Sequence, residues 1–350
     1  MADISTIDKN FKIETQINKG DIRFYDIKSE PFRIYGVKHE NGRFRRMSED
    51  AARSVSEGVY ALHTNTAGGR VRFKTNSPYV AINAKMDNVS KMGHFTLAGS
   101  AGFDMYIKEE QERYYKSYIP YWNIACGYEG VVELGNVEMR EITINLPLYS
   151  DVLELYVGIS ENAELLCAEP YRIEKPIVFY GSSITQGGCA SRPGNAYTAM
   201  VARRFDCDHI NLGFSGNALA EVEMADYIKG LEMSAFVFDY DHNSPFLDHL
   251  RETHERMFKI IREANPDLPI IVLSRPKYHT GWYENKCREI IEATCKNARA
   301  AGDENVYFIG GKALMAMAGN DGTVDDCHPN DLGFASMAKA VGDVLENVFG

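Results

Sequence analysis

From residue 70 onward, apolar side chains return at every second position in one short segment after another. Arg70-Val71-Arg72-Phe73-Lys74, Val80-Ala81-Ile82-Asn83-Ala84, Phe103-Asp104-Met105-Tyr106-Ile107-Lys108, Ile142-Thr143-Ile144-Asn145-Leu146 and Leu153-Glu154-Leu155-Tyr156-Val157-Gly158-Ile159 all share the pattern. A period of two sends successive side chains to opposite faces of a strand, so each segment reads as a strand with one face buried. Gly68-Gly69, Asn76-Ser77-Pro78, Gly127, Gly135-Asn136 and Pro147 stand between them as turns. Residues 1–170 are therefore expected to form an all-β, jelly-roll-like antiparallel sandwich.

The pattern changes at Glu169-Pro170-Tyr171-Arg172-Ile173-Glu174-Lys175-Pro176, where two prolines and mixed charge mark a boundary. The next run, Ile177-Val178-Phe179-Tyr180, is apolar without alternation, as in a parallel strand covered on both faces. Strands at 177–181, 209–213, 235–240, 270–274 and 306–310 alternate with helices near 195–205, 219–231, 246–264, 282–301 and 330–347. In the 246–264 helix, Leu247, Leu250, Met257, Phe258 and Ile261 fall on one stripe. Such alternation predicts right-handed crossovers and a parallel sheet in a three-layer α/β/α domain over 171–350.

A chain of 350 residues is long enough for two such domains, each with its own core. Its net charge of −11 argues against nucleic acid or an anionic membrane surface as partner. No apolar run is long enough to span a bilayer, and the first ten residues lack the basic start and apolar core of a signal peptide. The seven cysteines are odd in number and include no Cys-x-x-Cys pair, which fits reduced thiols and a cytoplasmic location. A small-molecule substrate is the expected partner, with homo-oligomerisation left open.

In open parallel sheets the chemistry collects where the strands end. Those ends carry Gly181-Ser182-Ser183-Ile184-Thr185, Gly213-Phe214-Ser215-Gly216-Asn217, Asp241-His242-Asn243-Ser244 and Asp325-Asp326-Cys327-His328. A serine hydroxyl needs a neutral imidazole to take its proton, so Ser183 is the candidate nucleophile and His328 the candidate base. Asp325, three residues before His328, is placed to hold the ring, with Asp326 as its competitor. The N–H groups of Ser183 and Gly216 and the amide of Asn243 are the candidate oxyanion donors. Arg192, His242 and the loop residue Trp122 are candidate substrate contacts, and Cys189 reads as a small buried thiol. The cluster Asp325-Asp326-Cys327-His328 holds metal-ligand types but has no second cluster to complete a zinc shell, so neither metal nor other cofactor is expected.

These blocks, in this order, resemble the Ser, Gly, Asn and His blocks of the SGNH (GDSL-type) hydrolases. Gly102-Phe103-Asp104-Met105-Tyr106 likewise resembles the Gly-x-Asp-Leu-Tyr motif of the β-sandwich that precedes the hydrolase domain in one subgroup. The resemblance implies a flavodoxin-like α/β/α fold and a place among esterases, lipases, thioesterases and carbohydrate O-deacetylases. Its spacing favours Asp325 over Asp326. Two departures stand out: Ser182 occupies the usual Asp position, and His242 and Ser244 flank Asn243 where the family has Gly-x-Asn-Asp. The expected protein is a metal-independent serine esterase acting on short-chain, chiefly acetyl, esters of saccharides. A lipase or thioesterase is the alternative, and an inactive carbohydrate-binding protein is the rival of another class.

Overall fold

The computed structural model describes residues 13–350, so the reading of the first ten residues lies outside it. Five parallel strands form one sheet in the order Cys207–Gly213, Ile173–Gly181, Ala235–Asp239, Ile270–Leu273, Val306–Ile309. Its two faces divide each strand's side chains. Ile177 and Phe179 pack with Val201, Phe205, Phe334, Met337 and Val341 from helices Tyr197–Phe205 and Asp331–Phe349. Val178 and Tyr180 pack the other way, with Met224, Leu250, Met257, Phe258 and Ile291 from helices Val222–Lys229, Leu247–Ala264 and Trp282–Ala300. Burial on both faces is why the strands inside the edge strand Cys207–Gly213 read as apolar runs.

The preceding described residues form two large antiparallel sheets and a two-stranded one, Lys38–Glu40 with Arg43–Arg45. One large sheet runs Ile22–Asp26, Asp151–Ser160, Tyr79–Asp87, Gly127–Glu133. The other runs Leu165–Leu166, Arg70–Thr75, Arg140–Asn145, Phe103–Lys108, Glu112–Tyr118, with Arg33–Tyr35 also on Arg70–Thr75. Val71, Phe73, Ile82, Phe103, Ile142, Ile144 and Val157, drawn from both sheets, fill a single core between them.

The all-β expectation fails between residues 47 and 62. Two short helices occur there, Glu49–Val55 and Glu57–Leu62, their first turns capped by Ser48, which accepts from the Ala51 N–H, and Ser56, which accepts from the Val59 N–H. Met47, Ala52 and Val59 join the core that also contains Phe214 and Met224, so this segment covers part of the α/β sheet. Helices this short show no periodicity, and the two serine caps were their only signal. The same region completes the edge strand Cys207–Gly213. Buried Arg46 donates to the carbonyls of Asn211 (3.3 Å) and Gly213, and Arg70 donates to that of His209 (3.2 Å) while pairing with Asp208. Alternate outward carbonyls that would otherwise be an open strand edge are thus occupied by guanidinium donors. Among the described residues no helix is long and apolar enough to cross a membrane.

Candidate active site

The strand Ile173–Gly181 ends against its neighbour. The Ser182 N–H donates to the Asp239 carbonyl at 3.1 Å, and a Cβ on Gly181 would lie 2.0 Å from that same oxygen, so only glycine fits there. The Ser182 hydroxyl accepts from the Ile184 N–H at 3.2 Å and caps the one-turn helix Ser183–Gln186, which Gly187 closes at φ 104°. Replacing the family's Asp, Ser182 is therefore a buried cap, and Ser183 is left half-exposed at the turn's mouth.

The loop before the last helix brings the imidazole to it. His328 Nε2 lies 3.0 Å from Ser183 Oγ, and His328 Nδ1 lies 2.8 Å from Asp325 Oδ2. The other Asp325 oxygen accepts from the N–H groups of Cys327 (3.1 Å) and His328 (2.7 Å), which fixes the carboxylate beside the ring. Partial burial works to raise the Asp325 pKa, but the His328 N–H and the adjacent ring outweigh it and bring the carboxyl down to about 2. An anionic acceptor at Nδ1 holds the proton there and leaves the Nε2 lone pair toward Ser183. Asp326 turns away at φ 64° and pairs with Lys277 at 2.9 Å. Of the two carboxylates, Asp325 is the one that lies against the His328 ring.

Three donors gather at the adjoining strand ends. Ser183 opens a helical turn, so its N–H has no partner within that turn, and no acceptor among the described residues takes the Gly216 N–H. Gly216 sits at φ 71° with open space where a side chain would be. Asn243 donates one amide hydrogen to the Phe214 carbonyl at 2.9 Å, which orients the group and leaves its second hydrogen available. Sequence reasoning missed what holds this arrangement. Gln186 accepts from the Ser215 N–H at 3.0 Å and donates to Asn65 (3.1 Å) and the Leu148 carbonyl (3.2 Å), so the loop bearing Gly216 is tied to the N-terminal region. Tyr149 donates to the Ser183 carbonyl at 3.1 Å. These contacts join residues far apart in the chain, and although Gln186 directly follows the Gly181–Thr185 block, nothing local marked its partners.

The three candidate substrate contacts fare differently. Arg192 is already engaged: it pairs with buried Asp104 at 2.9 Å, bonds the Tyr106 hydroxyl and lies 3.8 Å over the Tyr114 ring. Asp104 also accepts from the Gly194 N–H and the Asn145 amide, each at 2.8 Å. The Gly-x-Asp-Leu-Tyr-like segment is thus a clamp between the sandwich and the loop following Ser183, and Arg192 is one jaw of it. His242 packs under the His328 loop, its Nδ1 3.7 Å from the Cys327 sulfur and its Nε2 enclosed without a protein partner. Burial, with Arg275 nearby, lowers its pKa to about 3 and keeps the ring neutral. Trp122 stands 77% exposed beside Tyr121 in the loop between strands Glu112–Tyr118 and Gly127–Glu133, with no contact to Ser183 or His328. Cys189 is buried, as expected. From the sandwich side an unforeseen residue, His94, reaches the site, its ring centroid 5.5 Å from that of His328.

A parallel sheet presenting serine, glycine, asparagine and histidine, in that order, on loops beyond its strand ends is an arrangement suited to acyl hydrolysis. The chain belongs to the GDSL-like lipase/acylhydrolase family: that family's model matches residues 174–346, and the model for the N-terminus of SGNH-hydrolase-type esterases matches residues 22–165. It is an esterase of this family. The crystal structure of a Bacteroides ovatus protein described as a GDSL-like lipase is 30% identical, aligns over 94% of this chain and 98% of its own, and superposes with a TM-score of 0.84. Salicylyl-acyltransferase SsfX3 of a tetracycline biosynthetic pathway shares the fold at 18% identity, with coverage of 95% and 98% and a TM-score of 0.77. So does the acetyl xylan esterase Est2A of the rumen bacterium Butyrivibrio proteoclasticus, at 15% identity, 94% and 99% coverage and a TM-score of 0.58. No curated protein matches the chain.

Proposed function

We propose that this esterase hydrolyses short-chain, chiefly acetyl, esters of saccharides through an acyl-enzyme on Ser183. The observation that carries the reading is the continuous chain Ser183–His328–Asp325, with links of 3.0 and 2.8 Å. Ser183 Oγ attacks the ester carbonyl as its proton passes to His328 Nε2. The oxyanion that forms takes hydrogen bonds from the Ser183 and Gly216 N–H groups and the Asn243 amide. The imidazolium then protonates the departing sugar oxygen, which leaves as a hydroxyl as its bond to the carbonyl carbon breaks, and the acyl group stays on Ser183. Water, deprotonated by the same imidazole, releases the acid and restores the hydroxyl.

The saccharide preference is supported by the likeness to an acetyl xylan esterase and to family two carbohydrate esterases of the same two-part architecture. Tyr121 and Trp122, exposed on a loop of the sandwich, add rings of the kind that stack on sugars. Mass spectrometry of acetylated oligosaccharides should show loss of acetyl groups, and p-nitrophenyl acetate should exceed the octanoate in kcat/KM by about tenfold or more. Preference for the octanoate, with acetylated sugars untouched, would move the protein to the lipase side of its family. Asn243→Ala should lower kcat about 10²–10³-fold, or about 3–4 kcal/mol, with KM little changed, because its amide meets charge that exists only during the reaction. A rise in KM alone would remove Asn243 from the oxyanion site.

A further inference from the structure

We propose that His94, Cys189 and His328 form a site for a soft divalent cation, zinc above all, whose occupation switches the esterase off. The ligand atoms of the three side chains all lie within 4.8 Å of one another. They come from three distant stretches of chain. His94 is an exposed residue on the loop before helix Leu97–Ser100, Cys189 is a buried thiol held at φ 75° just past the nucleophile's turn, and His328 is the base. The first two stretches are tied together, since the Thr96 hydroxyl donates to the Ser191 carbonyl at 2.8 Å. The His94 and His328 ring centroids stand 5.5 Å apart, with the rings tilted by 48°.

Two imidazoles and a thiolate are a ligand set suited to tetrahedral zinc, with bonds of about 2.0–2.3 Å. Closing the present cluster to that geometry takes a movement of about 1 Å, which the exposed His94 ring can make. Asp325 completes the design from behind. Its bond to Nδ1 leaves Nε2 as the ligating nitrogen of His328 and raises the basicity of that ring, as carboxylates do behind metal-bound histidines. Ser183 Oγ, 3.0 Å from Nε2, or a water occupies the fourth position. On binding, the Cys189 thiol releases its proton to solvent and its sulfur pair to the metal, with no change of oxidation state.

The consequence follows from one lone pair. The Nε2 electrons that would accept the Ser183 proton are the same electrons that would bind the cation, so metal and turnover exclude each other. The inhibitory half of this inference rests on the proposed function. The binding half does not.

Cobalt(II) tests the binding half in the Ser183→Ala protein. A thiolate-to-cobalt absorption band is expected in the near ultraviolet, lost when Cys189→Ser is added and kept when Cys126→Ser is added. Zinc inhibition of p-nitrophenyl acetate hydrolysis tests the other half, each variant being compared with its own metal-free rate. The half-inhibiting zinc concentration should rise about tenfold or more in His94→Ala, whose exposed side chain carries no fold, and likewise in Cys189→Ser, and a chelator should restore activity. A cobalt band that survives the loss of Cys189, or zinc inhibition undiminished in both variants, would overturn the site. Absence of any ester hydrolysis in the wild-type protein would instead sink the proposed function, and the cobalt titration would still decide the cation site.

Discussion

Ser183→Ala is expected to lower kcat for p-nitrophenyl acetate about 10⁶-fold, with the folded protein and its substrate affinity little altered. The hydroxyl makes one side-chain bond, to His328, and its removal leaves the cap at Ser182 and the closing Gly187 in place. Because nucleophile and base act as a unit, adding His328→Ala to that variant should cost almost nothing further. Turnover by the alanine variant equal to wild type would discard Ser183 as nucleophile. A burst of p-nitrophenol matching the enzyme concentration, seen in wild type and absent from the variant, would identify the acyl-enzyme directly.

Asp325→Asn should be the next most damaging change, lowering kcat about 10⁴-fold. The carboxylate now uses both oxygens: one takes the N–H groups of Cys327 and His328, the other takes Nδ1. An asparagine has a single acceptor oxygen, and two backbone donors claim it. The amide NH₂ would then face Nδ1, which favours the tautomer carrying its proton on Nε2. That ring cannot accept from Ser183. Asp326→Asn is the matched control. Its carboxylate pairs with Lys277 and leads away from the site, so its rate should stay within about twofold of wild type. Equal losses in the two variants would mean that the loop as a whole, and not the Asp325–His328 bond, sets the activity.

What the sequence revealed and what it concealed separate along one line. Residues that act through local pattern were legible. Four of the five strands of the parallel sheet appear as apolar runs, and Ser183, Gly216, Asn243 and His328 were singled out because a parallel sheet must deliver its loops to one edge. Asp325 was recognised by spacing, and its two backbone bonds give that spacing a reason: three residues is the reach at which one carboxylate can take both the loop's N–H groups and the ring. Residues that act through partners far along the chain were not. Arg192 looked like a free cation in a loop until Asp104, 88 positions earlier, claimed it. The helices at 49–62 look like polar connecting chain until their few apolar residues meet Phe214 and Met224. Gln186 adjoins the nucleophile block but its partners Asn65 and Leu148 lie far along the chain, Tyr149 carries no motif, and His94 is an isolated histidine in a loop.

The guanidinium groups of Arg46 and Arg70, seated on the carbonyls at the rim of the parallel sheet, reach beyond packing. A sheet whose last strand is finished by another region's side chains is not a portable cassette. Recombination that exchanged the sandwich for an unrelated module would strip that strand of its acceptors' partners and leave a sticky border, open to pairing with a neighbour's strand. Lineages carrying this hydrolase would therefore inherit both parts as one genetic block. Diversification would fall on the loops at the mouth of the site, where a change of residue leaves that border intact.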